Sequence, residues 1–237
     1  MFFWKKRKTV TVRCYPQFTH IQNLFPIVHT RKMIPEWWKN LPSVIRDNGG
    51  KDITTIKSCP GFSELYKRGI SLPMWRDTVI KYDKNRILDI ELTTFEDISR
   101  WFVLHPPEQM GSIFNPWLHL KIISPWFLET DEPVPFLMID MTWNRKTLGD
   151  YSIPPGMLEF KYQHATNINM FLEPTEEYKE IKIQAGTPLI QLIPLTDVDL
   201  KLEICDPDEN KLKSMQPYSW TAHNVYTKTR NILEKNI

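Results

Sequence analysis

The chain has 237 residues, enough for one large domain or two small ones and for a sizeable core. A hydrophobic content of 41% and an aromatic content of 12%, with nine tryptophans, exclude a disordered chain. A formal charge of only +2 excludes a global field that attracts nucleic acid, and no apolar run is long enough to span a bilayer. Eight glycines against nineteen prolines suit a β-rich fold with extended loops.

The first ten residues read as a basic arm. "KKRK", Lys5 to Lys8, is most simply a solvated segment, and otherwise a contact for phosphate or nucleic acid. "MFFW" precedes it. A signal peptide has the reverse order, charges first and then a longer apolar stretch. Cys14, Cys59 and Cys205 are odd in number, far apart and without a CxxC spacing, so free thiols are expected. Together these point to a soluble protein of a reducing compartment.

"TVTVRCY" alternates as a strand does. "RKMIPEWWKNLPSVI" predicts a short helix near 35–41, with Pro35 in its first turn and Pro42 limiting it. Trp37 and Trp38 cannot both face inward on one helix. At least one lies at an edge, on a neighbouring segment or on a partner, although a lid over the domain's own core is the plainer reading. "SCPGFSELYKRG" predicts a helix over 60–68. Ser58 or Cys59 caps it, Pro60 sits in the first turn and Gly69 ends it. Phe62, Leu65 and Tyr66 share one face.

From Ser71 the period changes to two. "TVIKYDKNRILDIEL" reads as two strands joined around Asp83, Lys84 and Asn85. "ISRWFVLH", "WLHLKIISPWFL", "FLMIDMTW", "MLEFKYQH", "NINMFLE", "EIKI", "PLIQLIPL" and "DLKLEI" follow as further strands between proline-rich breaks. The pattern predicts a mainly β fold, a single barrel or sandwich over 11–207 with a short N-terminal helical elaboration. Residues 208–237 form a polar tail or terminal helix.

The residues that chemistry needs are sparse. The histidines form no HxH or HExxH, and His105 and Glu108 are separated by two prolines in an extended loop. No GxSxG and no phosphate-cradling glycine loop is present, and "DNGGKD" reads as a turn. "DIELTTFED" carries Asp89, Glu91, Glu96 and Asp97. Asp89 and Glu91 share a strand face, most simply a solvated one paired with Lys81. "GISLPMWRD" sets Trp75 beside Arg76, an aromatic and cationic platform for a ring, or else a buried Trp with a surface Arg–Asp pair. No cofactor or metal is implied.

"IPPG" at Ile153–Gly156, followed by "IKIQAGTPLIQLIPL", resembles the closing half of the dUTPase and dCTP-deaminase β-clip fold. Gly186, Leu189, Gln191, Leu192 and Ile193 match its closing pattern. The resemblance implies turns at Gly156 and Gly186 and a barrel-closing strand pair around Gly186, with Pro194 at an edge or exit. Between the two matches, "MLEFKYQHATNINMFLEPTEEY" has neither the aspartate nor the "RSS"-like serine of those enzymes, so the resemblance implies fold and not chemistry.

"MIPEWWKNLP", "IKSCPGFSELYKRGISLPMWRD", "KIISPWFLET" and "IKIQAGTPLIQLIPL" together resemble an uncharacterised family common in tailed phages, marine ones especially. The chain departs from it at "SPWFLETDEPVPFLMID", where relatives tend to read "TPPGYS". The resemblance implies a viral origin and a place in the virion or the host cytoplasm during infection. The leading expectation is a non-catalytic binding or virion-associated protein. Its contact residues are Trp37, Trp38, Trp75, Arg76 and Trp126, its partner is a protein or a nucleotide-like ligand, and it forms a possible homo-oligomer. The alternatives are a divergent β-clip nucleotide hydrolase or nucleotide-sequestering protein, using acids such as Asp89 or Asp140, and a cupin-like metal oxygenase.

Overall fold

The computed structural model describes residues 7–216, apart from 86, 93–97, 112–116, 146–148, 176 and 207, together with residue 231. The fold is mainly β, with curled sheets forming a half-barrel or sandwich around one core.

Alternation builds the first sheet. β1 (Lys8–Pro16) turns Val10, Val12 and Cys14 inward. One edge of β1 pairs in parallel with β15 (Val198–Ile204) and the other antiparallel with β9 (Leu118–Thr130). The long β9 serves three neighbours. Its second half faces β1, its first half faces β8 (Phe102–His105), and its opposite edge carries β12 (Ala165–Leu172).

The second sheet runs β11 (Gly156–Glu159), β10 (Pro135–Asp140), β14 (Pro188–Pro194), β5 (Ile70–Pro73) and β2 (Val28–His29). The central strands β14 and β5 are buried almost throughout, which is why they read as continuous apolar runs. A third sheet joins β13 (Lys179–Ile183), β6 (Thr78–Tyr82) and β7 (Ile87–Leu92). Val12 and Ile122 of the first sheet meet Leu72, Phe136 and Leu192 of the second and Ile80 and Ile181 of the third in one core. Burying each such side chain stabilises the fold by roughly 1.5–3 kcal/mol.

Among the described residues β3 (Val44–Arg46) and β4 (Asp52–Thr54) pair only with each other. The "DNGG" turn closes this hairpin. Asp47 Oδ1 accepts from the main-chain N–H of Gly49 and Lys51, each at 2.9 Å. Four short helices complete the description: α1 (Thr19–Leu24), α2 (Glu36–Asn40), α3 (Pro60–Lys67) and α4 (Glu209–Met215). α3 buries Phe62 and Tyr66 and leaves Leu65 half-buried. Among the described residues no helix is long and apolar enough to cross a membrane.

Several local expectations are corrected. Gly186 does make a turn, at φ +84°, with its N–H on the Met74 carbonyl at 2.7 Å. The strands on either side of it are not a pair, because β13 joins β6 while β14 joins β10 and β5. β14 is an interior strand, and Pro194 is tolerated as its last residue, beyond the end of the β5 ladder. Gly156 is no turn. It opens β11 opposite Met138, where an added Cβ would stand 3.3 Å from the Met138 methyl group. Pro35 precedes α2 as its N-cap instead of lying in its first turn. β1 begins at Lys8, inside the segment read as an arm. Lys5, Lys6, Glu96, Asp97 and most of the C-terminal tail lie outside the described residues.

Candidate functional site

Phe62, on α3, is the hub of an aromatic cluster on the outside of the second sheet. Its ring packs on Trp37 at 5.8 Å, Trp38 at 5.3 Å, Tyr66 at 5.0 Å and Trp143 at 5.4 Å. Trp37 Nε1 donates to the Trp143 carbonyl at 3.0 Å, which ties α2 to the turn after β10. Tyr66 Oη donates to Asn144 Oδ1 at 2.6 Å, and Asn144 Nδ2 donates to the Met33 carbonyl at 2.7 Å. The cluster thus locks four segments together.

Its outer face is open. Trp37 and Trp143 are each 42% exposed. The hairpin follows α2 directly and exposes Val44, Ile45 and Ile53, with the two isoleucines opposite each other across the strands. Lys57 fastens the base of this face. Its ammonium donates to the carbonyls of Trp38 at 2.9 Å and Lys39 at 2.6 Å, and lies 4.4 Å over the Trp38 ring. Scattered apolar residues on a surface need no explanation. Two tryptophans beside a hairpin with three exposed β-branched residues are a concentrated patch.

A second feature is a groove of about 690 Å3 beside β13. β13 pairs with β6, and residues of both strands line the groove. Asp77, Asn144, Arg145, Tyr151, Lys182 and Thr187 are among the walls. Arg145 is 6% exposed at the side chain, lies 3.6 Å over the Tyr151 ring, and donates to Asp140 Oδ2 and to the Tyr151 carbonyl. The Ile153 N–H reaches the same carboxylate oxygen at 3.3 Å. Burial raises the Asp140 carboxyl above its ordinary value, against the pull of Arg145. Burial also pushes the Tyr151 phenol up to about 12, again with Arg145 opposing. Arg145 is committed to these partners, so it shapes the wall. Asp77 is committed too, since its Oδ1 accepts from the Ala185 N–H at 2.7 Å.

The contact residues expected from sequence do not form one site. Trp37 and Trp38 belong to the aromatic face. Trp75 and Trp126 are core residues, 3% and 1% exposed, and present no ring to a partner. Trp75 packs edge-on against Trp101 at 5.8 Å. Arg76 is 8% exposed, so no cationic platform with Trp75 stands at the surface. The physical reason is the strand run from β5, which carries Met74 and Trp75 straight into the core. Asp89 is exposed on β7, with Lys81 opposite in register, 4.0 Å from it and bonded to Glu91. Among the described residues no three of His, Cys, Asp and Glu come together as metal ligands.

Asn144, Arg145 and Tyr151 escaped the sequence reading, and Trp143, expected at the end of the strand "FLMIDMTW", lies beyond it because β10 stops at Asp140. They sit in an irregular segment after β10, where neither period of alternation applies. Only the unusual run of Trp, Asn and Arg between a strand and "IPPG" marked the place. No protein-family model and no curated protein sequence matches the chain.

Proposed function

We propose that the chain is a non-catalytic binding protein of the tailed-phage kind, acting in the virion or in the infected cell by docking a protein on its aromatic face. The observation that carries this reading is the exposed Trp37–Trp143 pair beside an isolated hairpin with Val44, Ile45 and Ile53 in solvent. A two-stranded hairpin is marginal in water, and its open edges accept a further strand. Tryptophan is the residue type most enriched among binding hot spots. The phage context rests on the resemblance of the "IPEWW", "SCPGF" and "QAGTPLIQLIP" segments to phage proteins.

The test is sedimentation of the wild type and of Ile45→Lys/Ile53→Lys, together with a turnover assay on nucleoside triphosphates. Concentration-dependent self-association that the double variant loses supports docking through this face, with a second copy as partner. A wild type that stays monomeric throughout overturns a second copy as the occupant. Turnover of any deoxynucleoside triphosphate at enzyme-like rates overturns the non-catalytic reading.

A second reading, a nucleotide-handling site of the β-clip type, has one observation in its favour. The groove beside β13 has Arg145 in its wall, held from behind by Asp140. It expects nucleotides to raise the melting temperature.

A further inference from the structure

Among the described residues β15 pairs only with β1 and β2 only with β5, so each is the last described strand of its sheet. Between these strands lies a crevice of about 270 Å3, walled by β15, by His29 of β2 and by the end of α3. Arg7, Arg31, Lys67 and Arg68 all line it. They arrive from three separate segments, the start of β1, the turn after β2 and the last turn of α3.

Two carboxylates, Asp197 and Asp199, also line the crevice, and both act on Arg7. Arg7 Nε is 3.1 Å from Asp197, and its Nη1 is 4.0 Å from Asp199. Lys67 turns to Glu64 at 2.8 Å, an exposed pair on one helix that contributes little. Among the described residues no carboxylate pairs with Arg31 or Arg68. Four cations against three carboxylates, Glu64 included, leave the crevice a net positive charge, carried by Arg31 and Arg68.

The end of α3 does not offset that field. Gln191 Nε2 donates to the carbonyls of Leu65 and Arg68 at 2.7 Å each. The Gly69 carbonyl accepts from the Thr30 N–H at 3.2 Å. These helix-end oxygens are therefore bonded to the fold, while the cationic side chains of Lys67 and Arg68 line the cavity. His29 senses the result. Burial, then the charges of Arg31 and Lys32, lower its imidazole below the ordinary range.

We infer that this crevice is an anion site that takes the phosphate or diphosphate group of a ligand. Arg31 and Arg68, which no described carboxylate holds, carry guanidinium groups that can bind phosphate oxygens bidentately. At about 270 Å3 the crevice has room for a phosphate or diphosphate group. This site is separate from the aromatic face and does not depend on what docks there.

The experiment is calorimetric titration of the full chain at low salt with inorganic pyrophosphate, with ATP and with adenosine, repeated on Arg31→Gln/Arg68→Gln and on Lys67→Gln. Pyrophosphate and ATP are expected to bind, adenosine not, with affinity falling as salt rises. The double variant is expected to lose at least tenfold in affinity at an unchanged melting temperature, since both arginines are exposed. Lys67→Gln is expected to lose less. Equal affinities for pyrophosphate and ATP identify a free phosphate species as the ligand, and tenfold tighter ATP identifies a nucleotide. No binding of pyrophosphate, or unchanged affinity in the double variant, overturns the inference.

Discussion

Gln191, buried in the middle of β14, donates its side-chain amide to the Arg68 carbonyl at 2.7 Å. The same nitrogen reaches the Leu65 carbonyl at 2.7 Å, so a glutamine from a central strand caps the end of α3. This bond fastens the helix that carries both the hub of the aromatic face and two cations of the crevice. Replacing Gln191 with Leu keeps the bulk, takes the side-chain donor from the Arg68 carbonyl, and leaves the Leu65 carbonyl only the long bond from the Arg68 N–H at 3.4 Å. The expected loss is about 1–3 kcal/mol, read from the urea midpoint.

Gly69 shows how closely α3 approaches the sheet. Its φ is +75°, and a Cβ there would stand 2.1 Å from the Leu192 carbonyl oxygen. Gly50, in the hairpin turn, has φ +80° and nothing within 4 Å of an added Cβ. Gly50→Ala is expected to cost only the ~1–2 kcal/mol of left-handed backbone. Gly69→Ala is expected to cost clearly more, because the strand main chain must also move. Thermal unfolding of the two variants side by side separates the two costs.

The Asp140–Arg145 pair is largely shielded from solvent, at 15% and 6% side-chain exposure. Asp140→Asn leaves an uncompensated guanidinium and is expected to destabilise by about 3–5 kcal/mol. Asp140→Asn/Arg145→Met removes the stranded charge and is expected to recover most of that loss. A denaturant double-mutant cycle measures the coupling.

α4 is held to the first sheet by one pair and a small apolar contact. Lys211 Nζ lies 2.7 Å from Glu129, and Met215 packs on Tyr15 and Phe127. Burial works to raise the Glu129 carboxyl, but hydrogen bonds from Lys211 and Tyr15 outweigh it and hold the carboxyl below its ordinary value. A depressed carboxyl contributes stability that is present above its unfolded value and lost as pH falls through the folded one. α4 is therefore expected to lose protection from hydrogen exchange below about pH 4. Lys211→Met is expected to remove much of that pH dependence while keeping the packing.

The sequence exposed the elements that follow a single rule. β6 and β7 follow alternation, and α3 follows its proline start and glycine end. It did not expose the hairpin β3–β4, because three-residue strands are too short for a period to register. Nor did it expose the crevice, whose cations are spread from Arg7 to Arg68 in three segments that only the fold brings together.

"IKIQAGTPLIQLIPLT" marks the boundary between the two kinds of information. By itself the sequence determined that this stretch is two strands about a glycine turn, since alternation and a backbone position that favours glycine are local properties. Only the tertiary structure decided that the two strands part into different sheets, and that Gln191 turns its amide to α3. Strand partners and buried hydrogen-bond partners depend on which distant surfaces close over them, and no local pattern encodes that choice.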